Sequence, residues 1–224
     1  MRTVVLLDLP IDKDKALELL DEYGVFLKKH TGIDCEWYVE RRDFSVVPTE
    51  PDSDGDLKPT RQYLKNLEAE VRTRYNDYGT DNIVMWVHQD NFLYKGIWGS
   101  NFSYYFHKYS TQLCRWDKRN KYNTFGTLNH EFAHSFDRVI LEELGVDINK
   151  LFGFDWDAVA VHGQGEWEYI GRKTGKENEE SLTLVGPYLK LAYLKRKEKH
   201  EKYVGLLGQV VSLLTTLVSL LKKK

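Results

Sequence analysis

The stretch Thr127-Leu128-Asn129-His130-Glu131-Phe132-Ala133-His134-Ser135-Phe136 decides how the rest of the chain is read. It contains the pattern HExxH. On an α-helix, residues four apart lie about 40° apart and one turn up, so His130 and His134 project from one face. Ring nitrogens placed in this way converge on one metal ion at about 2.0–2.1 Å. Glu131 sits about 100° round the helix, where it reaches a water on the metal instead of joining the ligands. The spacing separates two ligands from one general base, as metal-assisted hydrolysis requires. The competing reading is a solvated or core-lining helix face that holds no metal.

Working outward, no proline interrupts residues 123–145, and the flanks of the motif are uncharged through Phe136. This predicts a helix over about 124–143, with Gly145 as its C-cap signal. Upstream, residues 3–8 and Asn82-Ile83-Val84-Met85-Trp86-Val87-His88 read as strands, the latter apolar enough to be buried on both faces. Cys35 to Val47 reads as a strand bent near Arg41-Arg42-Asp43, and Gly96–Phe106 and Thr111–Trp116 as two more. Residues 12–30 and 59–75 carry helical spacing, the second with Pro59 at its start. Pro48–Gly55 is a loop. The order is therefore β-α-β-α-β-β-β and then the motif helix. Residues 146–187 are irregular, with two further helices expected at about 178–200 and 203–222.

The ten-residue motif resembles the extended HExxH pattern of the zincin-like zinc metalloproteases. A looser likeness in element order covers residues 1–145. The resemblance implies an α+β fold, a zincin-like mixed sheet packed on helices with an HExxH active-site helix. It further implies one catalytic Zn²⁺, His130 and His134 as its ligands, Glu131 as general base, and cleavage of peptide bonds. The metzincin subgroup is excluded, because Asp137 and Ile140 stand where that pattern has a glycine and a ligand. The gluzincin pattern calls for a later Glu, but the corresponding segment reads Phe154-Asp155-Trp156-Asp157.

His162, ahead of the turn Gly163-Gln164-Gly165, is the preferred third ligand, with Asp157 the alternative. Asp155, Glu142 and Glu166 are lesser options. His162 has two other readings, a hydrogen-bond donor to the transition state and a surface-loop histidine. Asp137, one turn beyond His134, suits a hydrogen bond to a ligand imidazole or a salt bridge to a nearby base. Tyr169 is a weak candidate for the oxyanion. In zincin-like proteases an edge strand commonly lies above the cleft, and Gly96-Ile97-Trp98-Gly99-Ser100-Asn101 occupies the equivalent position. Gly96, Trp98 and Gly99 are accordingly candidate substrate-binding residues, by strand addition; a bulged hairpin without function is the other reading. His88 and His107 are structural, since nothing near them has ligand spacing.

Composition narrows the classes. The 224 residues are 42% hydrophobic and 13% aromatic, so a full core is available and a disordered tail is excluded. With 32 Lys+Arg against 34 Asp+Glu, no strong field favours nucleic acid or an anionic membrane. Cys35 and Cys114, outside any CxxC, read as two free buried thiols. The apolar run at the N-terminus is too short for a cleavable leader, and no stretch approaches the roughly 18 uninterrupted apolar residues of a membrane span. The expectation is a soluble protein, cytoplasmic by default.

The segment 206–224, LLGQVVSLLTTLVSLLKKK, differs in kind. Its apolar residues recur every seven and form a stripe of heptad positions g, a, d and e, wider than a two-stranded seam. Residues 1–200 are thus read as a metallopeptidase domain and 201–224 as an amphipathic helix. That helix is for self-association, for docking on protein through residues 206–221, or for lying on a membrane surface. The leading expectation for the whole is a zinc metallopeptidase acting on a peptide or protein substrate. The alternative is an inert zincin-like binding or structural module assembled through its terminal helix.

Overall fold

The computed structural model describes residues 1–51, 57–75, 82–88, 99–101, 110–116, 121–152 and 173–221. Strand β1 (Arg2–Asp8) leads into helix α1 (Lys13–Thr31). Asp12 caps that helix, its carboxylate accepting from the backbone N–H groups of Asp14 and Lys15 at 3.0 and 3.2 Å. Gly32, at φ +70°, closes it in the left-handed conformation. Gly24 does not break α1; a Cβ there would sit 3.4 Å from the Trp37 ring nitrogen, so the indole packs over it.

Strand β2 (Glu36–Arg42) pairs parallel with β1. It stops short of the expected Val47, but Phe44 and Val47 still enter the core. The expected loop 48–55 is partly paired: β3 (Thr49–Pro51) lies antiparallel to β4 (Leu57–Pro59). Pro59 therefore belongs to a strand, and helix α2 (Arg61–Tyr75) begins after Thr60, whose Oγ1 accepts from the Tyr63 N–H at 3.2 Å.

Strands β5 (Asn82–His88), β6 (Gly99–Asn101) and β7 (Ser110–Trp116) complete a five-stranded sheet of order β2-β1-β5-β7-β6. Four strands are parallel and the edge strand β6 runs antiparallel to β7. A mixed sheet packed on helices is present, as the resemblance implied, but its four parallel strands with helices on both faces make it α/β where α+β was expected. Residues of β1 and β5 are buried on both faces, as their continuous apolar runs require. Val4, Leu6, Ile83, Met85 and Leu113 face α2, through Leu64, Leu67 and Val71. Val5, Leu7, Val84, Trp86 and Cys114 face the opposite layer of α1, helix α3 (Lys121–Leu144) and helix α5 (Lys173–Leu221). Short helix α4 (Ile148–Phe152) falls in the stretch read as irregular.

Where two final helices were expected, α5 is one helix of 49 residues. The run Lys195–Lys202 consists largely of good helix formers and contains nothing that stops a helix. Leu182, Val185, Leu189 and Ala192 of its inner half are buried with residues of α1 and α3 in one core. The expected domain boundary at 200/201 thus falls inside a continuous helix. Among the described residues no helix is long and apolar enough to cross a membrane, and Cys35 and Cys114 form no disulfide, the first half-buried and the second buried.

Candidate functional site

Helix α3 carries the whole of HExxH without interruption, and Gly145, at φ +70°, caps it where the sequence indicated. The helix divides into two sides. Leu128, Phe132, Phe136 and Ile140 are buried in the core layer with α1 and α5. His134, Asp137 and Arg138 are half-buried, and Leu141 and Glu142 are exposed. The side bearing the second histidine is therefore the side of α3 that its neighbours cover least.

Glu131 is different: it is 1% exposed and is the one carboxylate among the described buried side chains of α3. Burial pushes the Cys114 thiol of β7 well up, and the nearby Glu131 carboxylate adds to that shift by charge repulsion. Glu131 thus lies toward β7, on the sheet side, while His134 lies toward the open side. The two occupy different environments, as the 100° helical offset between neighbouring residues dictates.

Three side-chain hydrogen bonds hold the motif stretch of this helix. The Gln112 amide of β7 donates to Ser135 Oγ at 2.8 Å, and Ser135 Oγ donates to the Glu131 carbonyl at 3.3 Å. On the other flank, the Tyr23 hydroxyl of α1 donates to Asn129 Oδ1 at 3.3 Å. Burial raises the pKa of Tyr23 well above its ordinary value, so it stays a donor. The residues flanking His130 and Glu131 are thereby pinned from both sides. Their sequence signal was only that they are uncharged; which partners they meet is a tertiary fact.

The expected ligand set is placed in part. His134 stands half-buried on the open side of α3, and the backbone of His130 lies one turn earlier. His162, Asp157, Asp155, Glu166, Tyr169, His107, Gly96 and Trp98 lie outside the described residues. Glu142 is engaged elsewhere, with Arg138 at 2.6 Å and Arg196 at 3.3 Å. His88 contributes its backbone N–H to Asp8 Oδ2 at 3.0 Å, a contact that ties the ends of β5 and β1. Among the described residues no group of three or more His, Cys, Asp or Glu side chains is gathered to hold a metal. By residue type, two histidines four apart on an unbroken helix suit a borderline-soft divalent ion such as zinc. Gly99, the third substrate-binding candidate, lies on β6, which among the described residues pairs with β7 alone and forms the sheet edge beside α3.

Comparison with protein-family models, with characterised proteins and with solved structures yields no match.

Proposed function

We propose that this chain is a zinc-dependent peptidase of zincin-like type. The observation that carries the reading is that one unbroken helix, α3, bears the HExxH spacing, with the Glu131 carboxylate removed from solvent and His134 half-buried. The antiparallel edge strand beside the motif helix supports the same reading.

Zinc would supply Lewis acidity, polarising the scissile carbonyl and acidifying the attacking water. His130 and His134 would hold it, with His162 or Asp157 as third ligand. Glu131 would take the proton from the water and deliver it to the leaving amine. Asp137, three residues beyond His134, would orient a ligand imidazole. Strand β6, at the sheet edge among the described residues, would receive the substrate backbone by strand addition, with Gly99 allowing close approach.

The test is Glu131→Gln in zinc-loaded protein, assayed on a mixed peptide library. Zinc retained at one equivalent with hydrolysis lost supports the assignment. Turnover that survives the substitution refutes Glu131 as base. A wild-type protein that binds zinc but cleaves nothing leaves the inert binding module as the better reading.

A further inference from the structure

We infer that the outer half of α5 is an assembly helix that binds further copies of this same chain, three or more together. Every residue from Glu201 to Thr215 is exposed. Leu206, Leu207, Val210, Val211, Leu213 and Leu214 all stand in water, Leu213 at 71%. With Tyr203 and Val204, these side chains expose on the order of 800 Å², about one partner's share of a stable interface. Patches of this size mark a surface that is covered by something.

The pattern of the stripe selects the occupant. Its apolar positions repeat every seven residues through Leu221. A straight helix drifts about 20° per heptad against such a repeat, so a flat protein surface loses register with it, whereas a helix wound around it stays in register. A second copy has the matching repeat by identity. No charged residue occurs from 203 to 221, so copies meet without like-charge repulsion and no charge is buried unpaired. The stripe fills four of seven heptad positions, which is more than two strands cover and suits a bundle of three or more. The polar side of the helix, at Gly208, Gln209, Ser212 and Thr215, offers no Lys or Arg to lipid headgroups. The inference stands independently of the peptidase reading.

The experiment is sedimentation of the full chain across the micromolar range, with and without neutral phosphatidylcholine vesicles. The wild type should sediment as a trimer or larger. The double variant L207E/L214E should sediment as a monomer whose near-ultraviolet dichroism is unchanged, because these positions lie outside the core. Leu213→Lys, a milder change, should weaken association about tenfold or more. Ser212→Glu, on the outer side of the stripe, should leave the assembly intact. A wild type that is monomeric throughout the range overturns the proposal. So does dissociation of Ser212→Glu as complete as that of the stripe variants, or flotation of monomers with the vesicles.

Discussion

The side-chain amide of Gln112 on β7 donates to the hydroxyl of Ser135 on α3 at 2.8 Å, and both residues are buried. This contact ties the residue after His134 to the centre of the sheet. Ser135→Ala would leave the buried amide without its acceptor and should destabilise the chain by about 1–3 kcal/mol. Adding Gln112→Leu removes the stranded donor and should restore part of the loss. Urea denaturation of the two variants checks both statements. A double variant weaker than the single would contradict the account.

Gly186 of α5 crosses the end of α1 with almost no clearance. A Cβ there would lie 2.7 Å from the His30 carbonyl oxygen and 2.8 Å from Thr31 Cα, both backbone atoms. Gly186→Ala therefore forces the helices apart, although alanine is the better helix former. We expect a loss of about 1–3 kcal/mol, as for other overpacked sites, read from the denaturation midpoint. Gly205→Ala, with no neighbour within 4 Å, should instead be neutral or stabilising.

Phe132, between His130 and His134 in sequence, is turned into the core. Its ring lies 5.4 Å from Tyr23, 5.8 Å from Phe136 and 6.4 Å from Trp37. Phe132→Ala should cost about 3–5 kcal/mol through the cavity it leaves. Calorimetry should show a lowered midpoint whether or not zinc is present.

Acid should loosen the seat of α5 on α3. Burial raises the Glu143 pKa, but hydrogen bonds from Lys199 (2.6 Å) and Arg196 (3.3 Å) outweigh it and hold the carboxyl below the usual carboxylate range. With the folded value depressed, the unfolded chain binds more protons, so stability rises with pH here. The contribution is present in full above about pH 4.5 and is lost as pH falls through the lower folded value. Glu143→Gln should flatten that acid limb in a plot of unfolding midpoint against pH. An unchanged limb would place the acid sensitivity elsewhere.

Metal addition should separate the three motif residues. If zinc binds the folded chain, it raises the unfolding temperature by mass action, and a chelator reverses the rise. His130→Ala and His134→Ala should abolish the shift, whereas Glu131→Gln should keep it. Loss of the shift in all three variants would mean that Glu131 is a ligand and not a base.

What the sequence by itself determined is local. The apolar run 82–88 is strand β5 residue for residue, because a strand buried on both faces has no polar alternation to obscure it. The motif helix and its Gly145 cap were legible because helical spacing, the absence of proline and a left-handed glycine are all properties of neighbouring residues. Tertiary structure alone decided the rest. It set strand order and direction, put α2 on one face and α1, α3 and α5 on the other, and paired β3 with β4 inside a stretch that reads as a loop. It also buried Glu131 against β7 while leaving His134 on the open side. Helical spacing fixes the angle between those two side chains. Which of them meets the sheet depends on how the whole helix is rotated, and that is set by distant partners such as Gln112 and Tyr23, packed against α3 only once the chain has folded.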